Sequence, residues 1–154
     1  MEERTVRTAG VDDVTHLVRL RAEMFASMGV PADGAAWQES AACWFRERLT
    51  DPGHRFVLVE VEGAVVACAV GSIRDAMPSP SVPAGRDVLV GNVCTDPAHR
   101  GRGHGRAAFE AVMAWAAATG VRRVELLATA QGRGMYEAAG FAETAWPAMR
   151  ATLG

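Results

Sequence analysis

The chain contains no lysine; all sixteen of its cationic side chains are arginine. A P-loop, which needs a lysine after its last glycine, is therefore excluded, and so is any mechanism that runs through a lysine amine. Cysteine is scarce as well. Cys43, Cys68 and Cys94 stand in apolar or aromatic company without short paired spacing, so neither a disulfide framework nor a zinc site is indicated, and no metal is expected. A reducing compartment fits that usage. The start, MEERTVRTAGVDD, is acidic where a signal peptide is basic and apolar, and no apolar run reaches the length of a membrane span. A cytoplasmic protein with no membrane partner is expected. With a net charge of -2 the chain also lacks the broad basic surface that coats nucleic acid, so no nucleic-acid partner is expected and any anion site must be local. Internal repeats, low-complexity tracts and linkers are absent too. The 154 residues suffice for one well-buried core and not for two ordinary domains, so residues 1–154 read as a single domain.

What is present is a change of period along the chain. Thr5–Thr8 is a short strand, and Asp12 or Asp13 can cap a helix in which Val14, Leu17, Val18, Met24, Phe25 and Met28 recur at helical spacing until Gly29 and Pro31. A second amphipathic stretch carries Trp37, Ala41, Trp44, Phe45 and Leu49 and stops at Asp51, Pro52 and Gly53. From Arg55 the period is that of strands. FVLVEV and AVVACAVGSI are rich in β-branched residues and joined by Glu62 and Gly63, which predicts a hairpin. Three prolines make Asp75–Arg86 a loop, and Asp87–Thr95 is the next strand, with Gly91 suggesting a bulge. A helical stripe from Ala108 to Ala116, a strand over Val124–Ala128, a short helix over Gln131–Ala139 and a last strand or two between Phe141 and Leu153, interrupted at Pro147, complete the chain.

Between the third long strand and the following helix stands DPAHRGRGHGRAA, Asp96 to Ala108. A strand that passes through a glycine-rich turn into a helix leaves the first helical N–H groups unpaired and pointing at one spot, with the positive end of the helix dipole behind them. Such a spot attracts phosphate. Glycines at 101, 103 and 105 remove Cβ atoms that would hold a ligand off the backbone, and Arg100, Arg102 and Arg106 add charge that can pair with phosphate oxygens. His99 and His104 flank the loop as further donors, whereas His16 and His54 have no partner spacing for a metal. Gly103, Gly105 and Ala108 also satisfy the dinucleotide pattern G-x-G-x-x-A, with Glu125 twenty positions beyond Gly105. Against that reading, Asp96–Arg100 intervenes between strand and loop, and the remaining chain is too short for a second nucleotide-binding half. A third reading takes RGRGHGR as an arginine-glycine contact to RNA, which needs disorder or a basic surface.

The run NVCTDPAHRGRGHGRAAFEAVMAWA resembles the acetyl-CoA-binding core of the GNAT superfamily of N-acetyltransferases, with Arg100, Gly103 and Gly105 on its signature. GMYEAAGF, Gly134 to Phe141, resembles the family's second landmark, a tyrosine on a short helix followed by Gly-Phe. The resemblance covers essentially the whole chain. It implies a fold of the α/β (α+β) class: a mixed, mostly antiparallel sheet of six to seven strands, about four flanking helices, and a centre splayed at the glycine loop. It implies acetyl-CoA as cosubstrate, with Gly101, Arg102, Gly103, His104, Gly105 and Arg106 around the pyrophosphate and Val93, Cys94 and Thr95 pairing with pantetheine like an added strand. Where many members carry an asparagine that contacts pantetheine, this chain has Thr129 and Gln131, and the contact falls to Thr129. Tyr136, the chain's single tyrosine, matches the family's general acid, and a main-chain N–H near Val93 can hold the oxyanion. Glu23, Asn92 with a water, and Glu125 are candidates for the base by position only, and Glu23 better suits a solvated helix face. The implied reaction acetylates a primary amine of a small molecule or peptide by direct attack, and a homodimer is common among similar proteins. The alternative is a noncatalytic acyl-CoA sensor.

Overall fold

A computed structural model of the protein describes residues 3–154. Its elements are β1 (Arg4–Thr8), α1 (Val14–Ser27), α2 (Ala35–Arg48), β2 (His54–Val61), β3 (Ala64–Asp75), β4 (Arg86–Thr95), α3 (His104–Ala118), β5 (Val124–Glu125) and α4 (Arg133–Ala138). They build one sheet in the order β1-β2-β3-β4-β5, antiparallel throughout except for the parallel pair of β4 and β5. No helix among the described residues is long and apolar enough to cross a membrane.

The hairpin between β2 and β3 turns where expected. Glu62 and Gly63 both take positive φ, 50° and 79°, which is the backbone that lets a two-residue turn follow the twist of its strands. Alternation along the strands then divides the core in two. Val57, Val59 and Val61 of β2 face α3 and α4, while Phe56 and Leu58 face α1, where Leu17 and Leu20 are fully buried. Asp13, expected as a helix cap, is used otherwise. Its carboxylate accepts the N–H of Gly10 at 2.8 Å and a two-pronged ion pair from Arg7, whose guanidinium also holds Glu60 on β2. Arg7 lowers the Asp13 pKa to about 2 against the cost of burial.

The sheet has five strands among the described residues, fewer than the six to seven expected. β5 pairs over two residues rather than the five of Val124–Ala128, and Phe141–Leu153 forms no strand. The physical reason is the same in both places: a strand exists only where a neighbour accepts its hydrogen bonds, and these backbones find none among the described residues.

Candidate functional site

Strand β4 has two different edges along its length. At Val88 and Leu89 it pairs with β3 on one side and with β5 on the other, whereas from Gly91 to Thr95 it pairs with β3 alone. The β5 side of that second stretch is open. At the change lies a bulge. Val70 faces Gly91 and Cys68 faces Cys94, so Asn92 and Val93 together stand opposite Ala69, and Asn92 takes a left-handed φ of 52°. The extra residue shifts the facing of everything after it: Val88 and Val90 point toward α3, and Cys94, which by simple alternation would join them, points toward α1.

The bulge is fixed from the α1 side. Arg21 Nη1 donates to Asn92 Oδ1 at 3.1 Å, Asn92 Nδ2 donates to Cys68 Sγ at 3.5 Å, and the Cys68 and Cys94 thiols donate to the main-chain and side-chain oxygens of Asn92. The adjoining Cys94 and complete burial push the Cys68 thiol well above its ordinary range, so it stays neutral. Arg21 lies 4.9 Å over the Phe25 ring and has no carboxylate partner among the described residues. Nothing in the sequence singled out Arg21, because only the three-dimensional meeting of α1 with β4 gives it a role.

The loop after β4 begins with Asp96, whose carboxylate accepts the Ala98 N–H at 3.0 Å and shapes a turn of 3₁₀ helix over Pro97–His99. Gly101 and Gly103 then take φ of 77° and 82°, a backbone that other residues adopt only with strain. The first helical bond of α3 runs from Ala107 N to Gly103 O, so the N–H groups that precede it converge at the helix start. Those of Gly101, Gly103, Gly105 and Arg106 make no hydrogen bond to the protein among the described residues. A Cβ on Gly105 would lie 2.8 Å from Thr95 Oγ1, so the close approach of α3 to the end of β4 requires glycine there. Arg100 does not reach outward. Its guanidinium donates to Thr95 O at 3.1 Å and to Ser27 Oγ at 2.7 Å, clamping the loop against β4 and the end of α1. Arg102 and Arg106 are exposed. The His104 ring is buried against His99, with centroids 6.4 Å apart, so this residue offers the loop its main chain.

Tyr136 lies on α4 with its ring packed on Phe109 and Phe141, at centroid distances of 5.2 and 6.1 Å. Burial, and beyond it Cys94, raises its pKa, so the phenol is protonated at neutral pH. Gly132 makes this possible, since a Cβ there would meet the tyrosine ring at 2.8 Å; nothing in the sequence singles it out. Thr129 holds the same turn, its carbonyl and hydroxyl oxygens both accepting the Gly132 N–H at 3.2 Å. Tyr136 also lines an open cleft of about 580 Å³ between residues 124–128 and 139–148.

The other candidate carboxylates fare less well. Glu125 is held by Arg74 at 2.5 Å in a network with buried Asp87, which ties β5 to β3 and β4 and commits it to structure. Glu23 stands two residues beyond Arg21 on α1, about 200° around the helix, and so faces away from the bulge that Arg21 reaches. No group of three or more His, Cys, Asp or Glu side chains among the described residues is arranged to hold a metal.

A sheet that parts at a bulge, followed by a turn whose amides gather at a helix start, is the framework of the acyl-coenzyme A acetyltransferases. The chain matches the model of the acetyltransferase (GNAT) family over residues 17–141 and belongs to that family. Its fold superimposes with a TM-score of 0.86 on a GCN5-related N-acetyltransferase from Ralstonia eutropha, at 28% identity, over 97% of this chain and 99% of the other. It superimposes equally well, at 0.86 and 21% identity, on a predicted acetyltransferase from Clostridium acetobutylicum solved with acetyl-CoA, over 96% of each chain. Glucosamine-6-phosphate N-acetyltransferase from Arabidopsis thaliana shares the fold at a TM-score of 0.76 and 19% identity, over 97% of this chain and 99% of that one. No curated protein matches the sequence.

Proposed function

We propose that this protein moves the acetyl group of acetyl-CoA to a primary amine of a small molecule or peptide. The observation that carries the reading is the adjacency of two sets of unused main-chain groups, the open edge of β4 from Gly91 to Thr95 and the amides at the start of α3. An extended pantetheine arm suits the first set at Val93, Cys94 and Thr95, as a strand suits a sheet edge. A pyrophosphate suits the second, between Arg100 and Arg106, through N–H donors and the helix dipole. Thr129, at the head of α4, faces the same arm in this reading. A chain of the same fold, from Clostridium acetobutylicum, was solved with acetyl-CoA.

In the reaction the acceptor nitrogen forms a bond to the acetyl carbon, the carbon–sulfur bond breaks, and coenzyme A leaves as the thiol. In this reading the Val93 N–H holds the carbonyl oxygen as charge develops on it. Tyr136 gives its proton to the departing sulfur, a transfer made practicable by the modest gap between phenol and thiol acidity. Asn92 acts by holding the bulge open. The base is the remaining part: neither Glu23 nor Glu125 is bonded at the bulge, so the amine loses its proton to water there, and the Arg21 guanidinium beside it disfavours the ammonium form.

The test is release of coenzyme A thiol with acetyl-CoA and a panel of primary amines, preceded by thermal shifts with acetyl-CoA, CoA and dinucleotides. Stabilisation by acetyl-CoA and CoA, with thiol release for at least one amine, is expected. The lack of a bonded carboxylate at the bulge favours one competing reading, a noncatalytic acyl-CoA sensor; acetyl-CoA binding with no thiol release against any amine would establish it. Stabilisation by a dinucleotide alone would overturn both.

A further inference from the structure

α1 carries two half-buried arginines, two positions apart, and the molecule treats them differently. Arg19 is matched: it donates to the Val65 main-chain oxygen at 2.9 Å and forms an ion pair with Asp96 at 3.4 Å. Arg7 and Arg74, half-buried as well, each hold two carboxylates. Arg21 holds none. Among the described residues its guanidinium makes one hydrogen bond, from Nη1 to Asn92 Oδ1 at 3.1 Å, and lies 4.9 Å over the Phe25 ring.

Both partners orient the group, and neither cancels its charge. An arginine does not shed its proton as a lysine or histidine does when water is withdrawn, so a half-buried guanidinium keeps a full charge that calls for an anion. Its remaining N–H groups keep the planar fork that donates to both oxygens of a carboxylate, or to two of a phosphate.

The place matters as much as the charge. Asn92 sits in the bulge, and Val93, next along β4, is where the proposed reaction puts the acetyl carbonyl. Phe25 continues the wall past the guanidinium, with Trp37 of α2 edge-on to it at 5.8 Å and fixed by an indole N–H donated to Ala32 O at 3.2 Å. The α1 face of the open edge is therefore lined first by an unmatched cation and then by two aromatic rings.

We infer that the acceptor is an amine carrying an oxyanion, a carboxylate or a phosphate, a few bonds from its nitrogen, and that Arg21 is the residue that selects it. The inference deepens the acyl-transfer reading and rests on it. It also bears on the proton: an anion close to an amine favours the ammonium form, and pairing that anion with Arg21 offsets the effect.

Two matched pairs of amines test this, phenylalanine with phenylalaninamide and phosphoethanolamine with ethanolamine, each read as coenzyme A thiol release. Arg21→Gln should lower the ratio of kcat/KM, anionic over uncharged, by roughly ten- to a hundredfold in at least one pair, with the far-UV circular dichroism unchanged. The pair that responds tells carboxylate from phosphate. A merely structural Arg21 would depress both members alike, so a ratio left unchanged in both pairs overturns the inference while acyl transfer stands. Should Arg21→Gln not fold, Arg21→Lys, which keeps the charge and loses the fork, should lower the same ratio about three- to tenfold, and an unchanged ratio overturns the inference equally. If none of the four amines releases thiol, calorimetric titration of the two anionic ones into the CoA complex decides: binding weakened roughly tenfold or more by Arg21→Gln upholds the anion site, and binding that is absent or equal in both proteins overturns it. The acyl-transfer reading fails separately, when no amine of the wider panel releases thiol.

Discussion

The part of the molecule before residue 96 and the part after it treat their backbones in opposite ways. β1 to β3 and the first half of β4 pair with one another, and their two faces are covered by helices, with Phe56, Leu58, Val59 and Val66 at 1% exposure or less. After residue 96 the chain presents amides at Gly101, Gly103, Gly105 and Arg106 without a protein partner among the described residues, a two-residue strand, and a tail with no hydrogen bond from main chain to main chain among them. Up to Gly91 the first part pairs its strands with one another and, with α3 covering one face, supplies rigidity. The second part leaves main-chain groups unmet, and in the proposed function these are the groups that receive the coenzyme.

This contrast can be broken at points of descending consequence. Phe56→Ala, in the closed part, should cost about 3–5 kcal/mol of unfolding free energy, read from urea denaturation, through the cavity it leaves. Gly105→Val, in the open part, places side-chain carbon where Thr95 already crowds and where the amides converge. Acetyl-CoA affinity should fall about a hundredfold, roughly 2.7 kcal/mol by isothermal titration, with a smaller change in melting temperature than Phe56→Ala. If instead stability collapses and affinity per folded molecule is kept, the loop belongs to the scaffold. Tyr136→Phe should lower turnover by roughly ten- to a thousandfold and leave acetyl-CoA binding nearly as it was. Unchanged turnover would return the tyrosine to a packing role.

The smallest effect sharpens the closed side. Asp13 has its pKa depressed to about 2 by Arg7, so the folded state holds fewer protons than the unfolded one between the ordinary aspartate value and pH 2. Its contribution, about 2 kcal/mol at neutral pH, is fully present above pH 5 and disappears as the pH falls toward 2. Asp13→Asn should flatten that part of the acid limb in urea midpoints measured from pH 5 to pH 2. A wild-type limb that the variant reproduces would show that other carboxylates carry it.

Much of this arrangement was legible in the residues, and the exceptions have a common cause. The hairpin at Glu62 and Gly63, the bulge by Gly91 and the glycine turn before α3 are written in local rules, since each needs a particular φ or a missing Cβ at a fixed position. Strand extent is not local. The stretch from Phe141 to Leu153 reads as a strand or two, yet it meets no partner among the described residues, and β5 stops at Glu125 for the same reason. Side-chain roles set by distant neighbours were equally hidden: Arg21 reaching Asn92 across 71 positions, Arg74 capturing Glu125, and Gly132 making room for the Tyr136 ring.

The odd residue in β4 has one more effect. Because it reverses which way each later position looks, removing Asn92 would send Cys94 to the α3 layer and turn Val93 and Thr95 toward the α1 side. Insertions and deletions in the surrounding loops leave this parity untouched. A single-residue change in length between Gly91 and Thr95 is therefore the sequence event this fold is least able to absorb, even where every individual side chain is preserved.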